Sequence, residues 1–213
     1  MLAILDYKAG NQTSVRRAFD HLGIECRITA DPEVLLAAQG VIFPGVGEAG
    51  QAMRQLKETG MDNVLRRLVR ENRPVLGVCL GCQILVESSE ENDAETLGLF
   101  PGVCKRLPPE LKDETGRPIR IPHMGWNNLI FKRPCPLFEG IEDNSEFYFV
   151  HSYYVHTDPR LVLAVSRHGL EFCAAYGRDG LWAVQFHTEK SGRSGLRLLR
   201  NFADYCALRS GHA

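Results

Sequence analysis

Apolar runs and amphipathic segments alternate along the first part of the chain. Residues 75–78 form a short, almost wholly apolar run, which is typical of a central strand buried on both faces of a sheet. Further strands are predicted at residues 2–6, 25–29 and 41–43, and helices at residues 11–22, 32–38, 49–57, 61–72 and 80–87. This alternation predicts an α/β fold with a mostly parallel, doubly wound central sheet flanked by helices. Asn11 is predicted to cap the first helix.

The pattern changes after residue 87. Residues 88–95 are polar and acidic, and we expect an exposed loop there. Strands are predicted at residues 127–131, 146–155 and 162–165, a hairpin from residues 172–176 and 181–186, and an amphipathic helix over residues 191–208. The sequence therefore predicts an antiparallel hairpin region added to the parallel sheet, within a single domain of residues 1–213.

The strand at residues 75–78 leads into a G-x-C-x-G motif, Gly77-Val-Cys79-Leu-Gly81. In the related G-x-S-x-G elbow, the nucleophile occupies a sharp turn between a strand and a helix, and the flanking glycines let the two elements approach closely. A thiol at the start of a helix faces unpaired N–H groups, which favour its reactive thiolate form. We therefore predict that Cys79 is a nucleophile.

A cysteine nucleophile needs a base, and the base needs a group that orients it. His187 is predicted at the end of an apolar strand, where open α/β sheets place their ligand sites. Residues two apart in an extended chain point to the same side, so Glu189 can contact one imidazole nitrogen while the other faces the thiol. The pattern alone also allows a structural histidine beside a surface glutamate.

Acyl transfer also needs N–H donors aimed at the oxygen of the tetrahedral intermediate. The backbone N–H of Leu80, directly after the cysteine, is one candidate. The turn Gly45-Val46-Gly47 follows the third strand, and its glycines permit unusual backbone angles, so that the turn could supply a second donor to this oxyanion hole. An ordinary tight turn is the alternative interpretation of the same residues.

Cys79-Leu-Gly-Cys82 is also a C-x-x-C motif, so a thioredoxin-like redox protein is an alternative from another functional class. That interpretation leaves the flanking glycines and residues 185–189 unexplained. A zinc site would need a second cysteine pair of this kind, and because the sequence has none we predict no metal site.

A net charge of −1 favours neither nucleic acid nor membrane as a partner. An odd count of 7 cysteines, with no signal peptide or membrane-spanning run, predicts a reduced, cytoplasmic protein.

Taken in order, these motifs resemble class I (triad) glutamine amidotransferase domains. Within that family, some segments are similar to those of the glutaminase subunit of imidazole glycerol phosphate synthase. These segments are residues 6–11, 44–47, 122–127, 149–153 and 189–191. It covers nearly the whole chain, and it implies a flavodoxin-like central sheet.

The resemblance implies the chemistry of a glutaminase. Cys79 would attack the side-chain amide of L-glutamine and form a thioester, while His187 moves protons and Glu189 orients it. Water would then release L-glutamate, and no cofactor takes part. The oxyanion hole would be formed by backbone groups of Leu80, Val46 and Gly47. The substrate would be held by Gly47, Gln83, Ser152 and Tyr153.

The same resemblance implies a partner. Ammonia would pass to a separate (βα)₈-barrel cyclase subunit, in a heterodimer that makes imidazole glycerol phosphate and a purine precursor (AICAR) in histidine biosynthesis. Trp126, Tyr148 and Lys190 match segments that face the cyclase in this family, although a packed aromatic pair and a solvated lysine are the alternative. Thr188 departs from the family, where proline usually separates the histidine from the glutamate, and this puts the geometry between those two residues in question.

Two further interpretations remain open. The chain could be the glutaminase subunit of another pathway, such as anthranilate or aminodeoxychorismate synthesis. Those relatives usually carry Pro-Gly-Pro-Gly and a histidine near Cys82, whereas this chain has Pro-Gly-Val-Gly at residues 44–47. A non-catalytic interaction subunit could keep the fold without the chemistry, but the complete set of cysteine, histidine and glutamate argues against it.

Overall fold

The computed structural model describes residues 1–8 and 11–210; positions 9 and 10 of the family-like opening segment lie outside them. The strands are β1 Leu2–Leu5, β2 Cys26–Thr29, β3 Val41–Gly45, β4 Val75–Cys79, β5 Ser88–Ser89, β6 Ala94–Glu95, β7 Gly102–Arg106, β8 His123–Asn128, β9 Ile130–Phe131, β10 Glu146–His151, β11 Tyr153–Thr157, β12 Val162–Arg167, β13 Glu171–Arg178 and β14 Leu181–Val184. The α-helices are α1 Gln12–His21, α2 Pro32–Ala37, α3 Ala49–Thr59, α4 Met61–Arg70, α5 Leu80–Gln83 and α6 Gly192–Ser210. Short 3₁₀ turns occupy Glu91–Asp93, Pro136–Phe138 and Thr188–Lys190.

A parallel sheet in the order β2-β1-β3-β4-β14 forms the centre of the fold. Beyond β14 the sheet continues through β13, β11 and β7, each antiparallel to its neighbour. β5 then pairs in parallel with β7, and β6 pairs antiparallel with β5. The predicted α/β fold with an added antiparallel region, including the hairpin of β13 and β14, is confirmed.

Both faces of the parallel sheet are covered, which explains why its strands are so apolar. Successive side chains of a strand point to opposite faces. In β1, Ala3 and Leu5 belong to one buried apolar cluster, and Leu2 and Ile4 belong to another. Helices α3 and α4 contribute to the first cluster, and α1 and α6 contribute to the second. The carboxyl ends of β3, β4 and β14 are therefore held at one edge between two packed layers.

A second, two-stranded sheet consists of β8 and β10, paired antiparallel. The prediction of a single strand over residues 146–155 is wrong, because the chain forms two strands that are separated at Ser152. The first half, β10, joins this small sheet, while the second half, β11, joins the large one. Both halves are rich in aromatic and β-branched residues and no glycine or proline separates them, so the sequence carries no strong turn signal where the partner strand changes.

Two predictions after β4 are also wrong. The helix expected over residues 80–87 ends at Gln83, because the Glu87 N–H donates to the Gly102 carbonyl and not to the Gln83 carbonyl four residues earlier. The exposed loop expected over residues 88–95 contains β5 and β6, and Ser89 is buried.

None of the helices within the described ranges combines the length and apolar character needed to cross a bilayer.

Candidate active site

Cys79 lies at the sharp turn between β4 and α5. Its φ of 56° and ψ of −109° are angles that a residue with a side chain rarely adopts, and such strain often marks functional sites. A Cβ atom on Gly81 would collide with the Phe43 carbonyl oxygen, and one on Gly77 would lie 2.8 Å from Leu85 Cδ1. The turn thus has the predicted strand–turn–helix form. Because α5 is only one turn long, its dipole favours a thiolate less than a longer helix would.

His187 and Glu189 meet beside this elbow. His187 follows β14, and its Nδ1 lies 2.8 Å from Glu189 Oε1. The two residues are not on one extended strand as predicted, because Glu189 lies in the 3₁₀ turn Thr188–Lys190. Thr188 is fully buried and its backbone takes this tight turn, so the position that departs from the family still brings the carboxylate onto the imidazole.

The charges of this pair depend on each other. Burial disfavours a charged imidazole, but the hydrogen bonds and charges of Cys79 and Glu189 outweigh it and raise the pKa of His187 to about 10. Burial also disfavours the Glu189 carboxylate, yet hydrogen bonds from His187 and Asn11 lower its pKa. Since Glu189 holds Nδ1, Nε2 is the nitrogen left to interact with the thiol. The arrangement therefore favours an imidazolium that carries a proton next to Cys79.

The backbone of His187 is attached to the small sheet. Its N–H donates to the Tyr148 carbonyl at 2.9 Å, and its carbonyl accepts from the Ser191 hydroxyl at 2.6 Å. The Tyr148 N–H donates to the same hydroxyl oxygen at 3.0 Å. A shift of β10 would therefore be transmitted directly to the imidazole.

A cleft of about 380 Å³ opens in front of Cys79. Its walls come from the ends of β3 and β14, from the elbow, from the 3₁₀ turns at residues 91–93 and 188–190, and from the crossing between β10 and β11. The lining residues are Val46, Gly47, Cys79, Leu80, Gln83, Glu91, Pro122, Val150, His151, Ser152, Tyr153, His187 and Lys190. The structure thus brings together at one cleft every residue predicted to take part in catalysis, the oxyanion hole or substrate binding, except Glu189, which lies behind His187.

The predicted oxyanion donors directly follow two adjacent strands, β3 and β4. Gly45, at the end of β3, is in register with Cys79 at the end of β4. Gly47 has a φ of 100°, which only glycine adopts readily, so the turn needs glycine here. Leu80 is the first residue of α5, and its N–H therefore has no acceptor within the helix. Both elements reach the cleft on the side of the thiol.

Gln83 joins the elbow to the antiparallel region. Its side-chain nitrogen donates to the Tyr153 carbonyl at 2.9 Å and to Gln185 Oε1 at 3.1 Å. Both amide hydrogens are thus used within the protein, which leaves its oxygen as the polar atom for a ligand. Gln83 therefore also fixes the wall that carries Tyr153.

Three residues at the site were not identified from the sequence. Glu91 brings a carboxylate to the cleft, but it lies in an acidic segment where nothing distinguishes it from its neighbours. His151 forms part of the wall within an otherwise apolar strand. Asn11 occupies the predicted cap position, yet its side chain makes no cap hydrogen bond and instead donates to Glu189 Oε1 at 2.7 Å. The prediction that it caps α1 through its side chain is wrong, because its φ of 71° is left-handed and not the extended conformation of a capping residue.

The residues predicted to face a partner lie on the small sheet and in the 3₁₀ turn after His187. Trp126 on β8 pairs across the strands with Tyr148 on β10, with ring centroids 6.0 Å apart and rings near perpendicular. Trp126 is 53% exposed, a large exposed fraction for an indole. Lys190 is exposed and lines the cleft itself.

Cys82, unlike Cys79, does not line the cleft. It is buried, and burial raises the pKa of its thiol well above the ordinary value, so the C-x-x-C motif lacks a second reactive thiolate. Among the described residues, no group of three or more His, Cys, Asp and Glu side chains is placed to hold a metal ion.

Comparisons with known proteins agree with this geometry. Residues 3–205 match the family model "Glutamine amidotransferase class-I". The chain is 64% identical over 206 residues to the imidazole glycerol phosphate synthase subunit HisH of Nitratidesulfovibrio vulgaris strain Hildenborough, with 97% of each chain covered. It is also 64% identical over 206 residues to the subunit HisH of Desulfovibrio desulfuricans, covering 97% of this chain and 95% of the relative.

A solved structure described as a glutamine amidotransferase superimposes with a TM-score of 0.73 at 21% identity, covering 97% of this chain and 98% of the other. At that identity the superposition supports the fold alone. The family model covers most of the chain, and the HisH relatives match it nearly end to end at high identity. The chain therefore belongs to the class-I glutamine amidotransferase family and, within it, to the family of the imidazole glycerol phosphate synthase subunit HisH.

Proposed function

We propose that this chain is the glutaminase subunit of an imidazole glycerol phosphate synthase, and that it hydrolyses L-glutamine to L-glutamate and ammonia in histidine biosynthesis. The observation that carries the proposal is that Cys79 and His187 meet at one cleft while Glu189 holds His187 from behind. The cleft has the size of a small-molecule site. The proposed domain spans residues 1–213, which is supported by a sheet that runs without interruption from β2 to β6.

The first half of the reaction forms a thioester. The Cys79 sulfur attacks the side-chain carboxamide carbon of glutamine, and the oxygen becomes an oxyanion that backbone N–H groups at Leu80 and the Val46–Gly47 turn would stabilise. The imidazolium of His187 then gives its Nε2 proton to the amide nitrogen, which leaves as ammonia. The raised pKa of His187 supports this step because the ring holds the proton that the leaving group needs.

The second half consumes one water molecule. Neutral His187 takes a proton from the water, whose oxygen attacks the thioester carbon through a second oxyanion. Collapse of that intermediate expels the Cys79 sulfur as thiolate and releases glutamate, and the proton on His187 restores the starting pair. Glu189 keeps the Nδ1–H in place through both steps, because its carboxylate accepts that hydrogen throughout.

Substrate recognition follows from the polar groups of the cleft. Glu91 supplies a carboxylate suited to the α-ammonium group of glutamine; its Oε2 already accepts from the Ala49 N–H at 2.7 Å. Gln83, Ser152 and Tyr153 lie on the wall beside the thiol and would fix the rest of the amino acid.

Ammonia would pass to a (βα)₈-barrel cyclase subunit bound as a heterodimer at the surface formed by Trp126, Tyr148 and Lys190. The exposed indole and the bonds between Tyr148 and the His187 turn support this choice of face.

All 7 cysteines lie within the described residues and are free thiols. Free thiols are the norm in reducing compartments, which supports our proposal that the protein acts in the cytoplasm.

Glutamate release from glutamine tests the proposal, measured with the chain alone and with a (βα)₈-barrel cyclase subunit and its nucleotide substrate. We expect slow turnover alone, a large rise with the partner, and loss of both in Cys79→Ala. Turnover that persists unchanged in Cys79→Ala would contradict the mechanism. A partner from anthranilate or aminodeoxychorismate synthesis that stimulates turnover equally well would contradict the assignment to histidine biosynthesis.

A further inference from the structure

Asn11 contacts the carboxylate that orients the base. Its Nδ2 lies 2.7 Å from Glu189 Oε1, the same oxygen that lies 2.8 Å from His187 Nδ1. A carboxylate only accepts hydrogen bonds, so both nitrogens donate to it. The 3.4 Å separation between Asn11 Nδ2 and His187 Nδ1 is then a contact between two donors and not a hydrogen bond. One oxygen of Glu189 thus receives two hydrogen bonds from opposite ends of the chain.

A helix-capping role does not explain this placement. Asn11 precedes α1, but its side chain bonds to no N–H of that helix. Its φ of 71° lies in the left-handed region, which asparagine tolerates better than most residues with a side chain. The backbone therefore takes an uncommon conformation at the residue whose amide contacts Glu189.

Glu189 has few other partners. Its side chain is fully buried, and its Oε2 has no hydrogen-bond partner among the described residues. A buried carboxylate is costly unless hydrogen bonds stabilise it. The Asn11 amide supplies a donor without adding a positive charge. The full negative charge of Glu189 therefore remains available to His187, the charged group that faces it.

On the basis of the glutaminase function proposed above, we infer that Asn11 is a positioning residue for the reaction. It holds the Glu189 carboxylate in the orientation and the ionised form that fix the His187 Nδ1–H. Asn11 acts through Glu189 and does not touch the reacting atoms. Its loss should therefore lower the rate of the chemical step more than the affinity for glutamine.

Asn11→Gly is the cleanest test because glycine adopts the left-handed conformation without strain. We expect kcat for glutamate release, measured with the cyclase partner, to fall about 10- to 100-fold, the usual range for a hydrogen bond to a charged group. KM should stay within about 2-fold. The acid limb of the kcat–pH profile should move to higher pH, because the Asn11 hydrogen bond lowers the pKa of Glu189.

Asn11→Asp keeps the shape and the tolerance of left-handed angles but exchanges a donor for an acceptor. An acidic residue at the start of a helix does not destabilise it, so a purely structural role predicts normal stability and activity. We expect instead a fall in kcat at alkaline pH, with partial recovery on acidification as the two carboxylates come to share one proton. Thr13→Ala, an exposed change in the first turn of α1, is the matched control and should retain wild-type kcat.

Wild-type kcat and pH profiles in both Asn11 variants would overturn the inference, as would a fall in kcat that merely parallels a loss of thermal stability. Neither result would touch the proposed function, which fails separately if the wild-type chain releases no glutamate or if Cys79→Ala does so normally.

Discussion

Two buried histidines line the same cleft and differ in charge. His187 is 2% exposed and His151 is 5% exposed, so water reaches neither ring to any extent. The pKa of His187 is nevertheless raised to about 10, whereas burial lowers the pKa of His151 to about 4. At neutral pH one ring is an imidazolium and the other is a neutral imidazole.

The difference comes from their partners. Glu189 and Cys79 favour a proton on His187 strongly enough to outweigh burial. His151 instead faces the Tyr153 carbonyl at Nδ1 and His123 at Nε2. The carbonyl requires the hydrogen on Nδ1, so Nε2 must accept from His123 Nδ1–H. Asn127 in turn donates to His123 Nε2 at 3.1 Å.

These hydrogen bonds link neutral groups in a series that runs from β8 to the cleft wall. Neither imidazole in this series has an accepting nitrogen free to take up another proton. Burial lowers the pKa of His123 to about 3, in keeping with that pattern. Burial alone therefore does not decide the charge of a histidine. One side of the cleft is built to carry a proton, and the other is built as a fixed, uncharged wall.

The largest effect should follow from removing the nucleophile. Cys79→Ala should lower glutamate release by about 10⁴-fold or more, since no other cysteine is among the described residues that line the cleft. Cys82→Ala, three residues further on, is the control and should keep most of the activity, because that thiol is buried and protonated. If both variants lose activity equally, the two cysteines act as a pair and the redox interpretation regains support.

Glu189→Gln should reduce the difference in pKa between His187 and His151. The neutral amide removes the charge that favours the imidazolium, so the raised pKa of His187 should fall, and kcat should drop by about 10³-fold. Nitrogen-detected NMR of the imidazole rings measures the first effect and steady-state kinetics the second. Glu58→Gln, an exposed change on α3, is the control. An unchanged His187 titration in Glu189→Gln would contradict the account.

His151 should make the protein sensitive to acid. Its folded-state pKa of about 4 lies below the ordinary 6.5, so the unfolded chain binds more protons between those values and stability falls as pH falls through that window. From about pH 7.5 to about pH 5, this group should cost about 2 kcal/mol of unfolding free energy. His151→Gln should lack that part of the slope in urea titrations, while His156→Gln, on an exposed position of β11, should keep it. Equal slopes in all three proteins would refute a neutral, buried His151.

Trp126→Ala should have the smallest effect on the isolated chain. The indole is mostly exposed, so unfolding free energy should change by less than about 0.5 kcal/mol. Binding of the cyclase subunit, measured by calorimetry, should weaken by about 10-fold or more because large exposed aromatic residues dominate interfaces. Lys57→Ala, on the exposed side of α3, should leave binding unchanged. Unaltered binding in Trp126→Ala would place the partner elsewhere.

Much of the site could be predicted because its chemistry is encoded locally. The apolar β4 and the glycines around Cys79 specify the elbow, and the close approach of Gly81 to Phe43 is the physical reason. The His187 and Glu189 pair was predictable from their spacing, although a 3₁₀ turn and not an extended strand joins them.

Other features depend on contacts between distant segments. The end of α5 at Gln83 is accompanied by a backbone bond from the Glu87 N–H to the distant Gly102 carbonyl, which the local sequence does not reveal. Asn11 has the composition of a cap, and only the fold brings Glu189 within its reach. The neutral state of His151 likewise could not be assigned, because His123, the partner of its Nε2, lies on another strand.

The thioester mechanism requires that Cys79 carries the acyl group of glutamine during the reaction. Acid-quenched samples taken during turnover, digested and measured by mass spectrometry, test it directly. We predict an adduct equal to glutamine minus ammonia on the peptide that contains Cys79, absent from Cys79→Ala and increased in amount when hydrolysis of the thioester is slowed. Rapid glutamate release with the adduct on another residue, or with the same turnover in Cys79→Ala, would contradict the account.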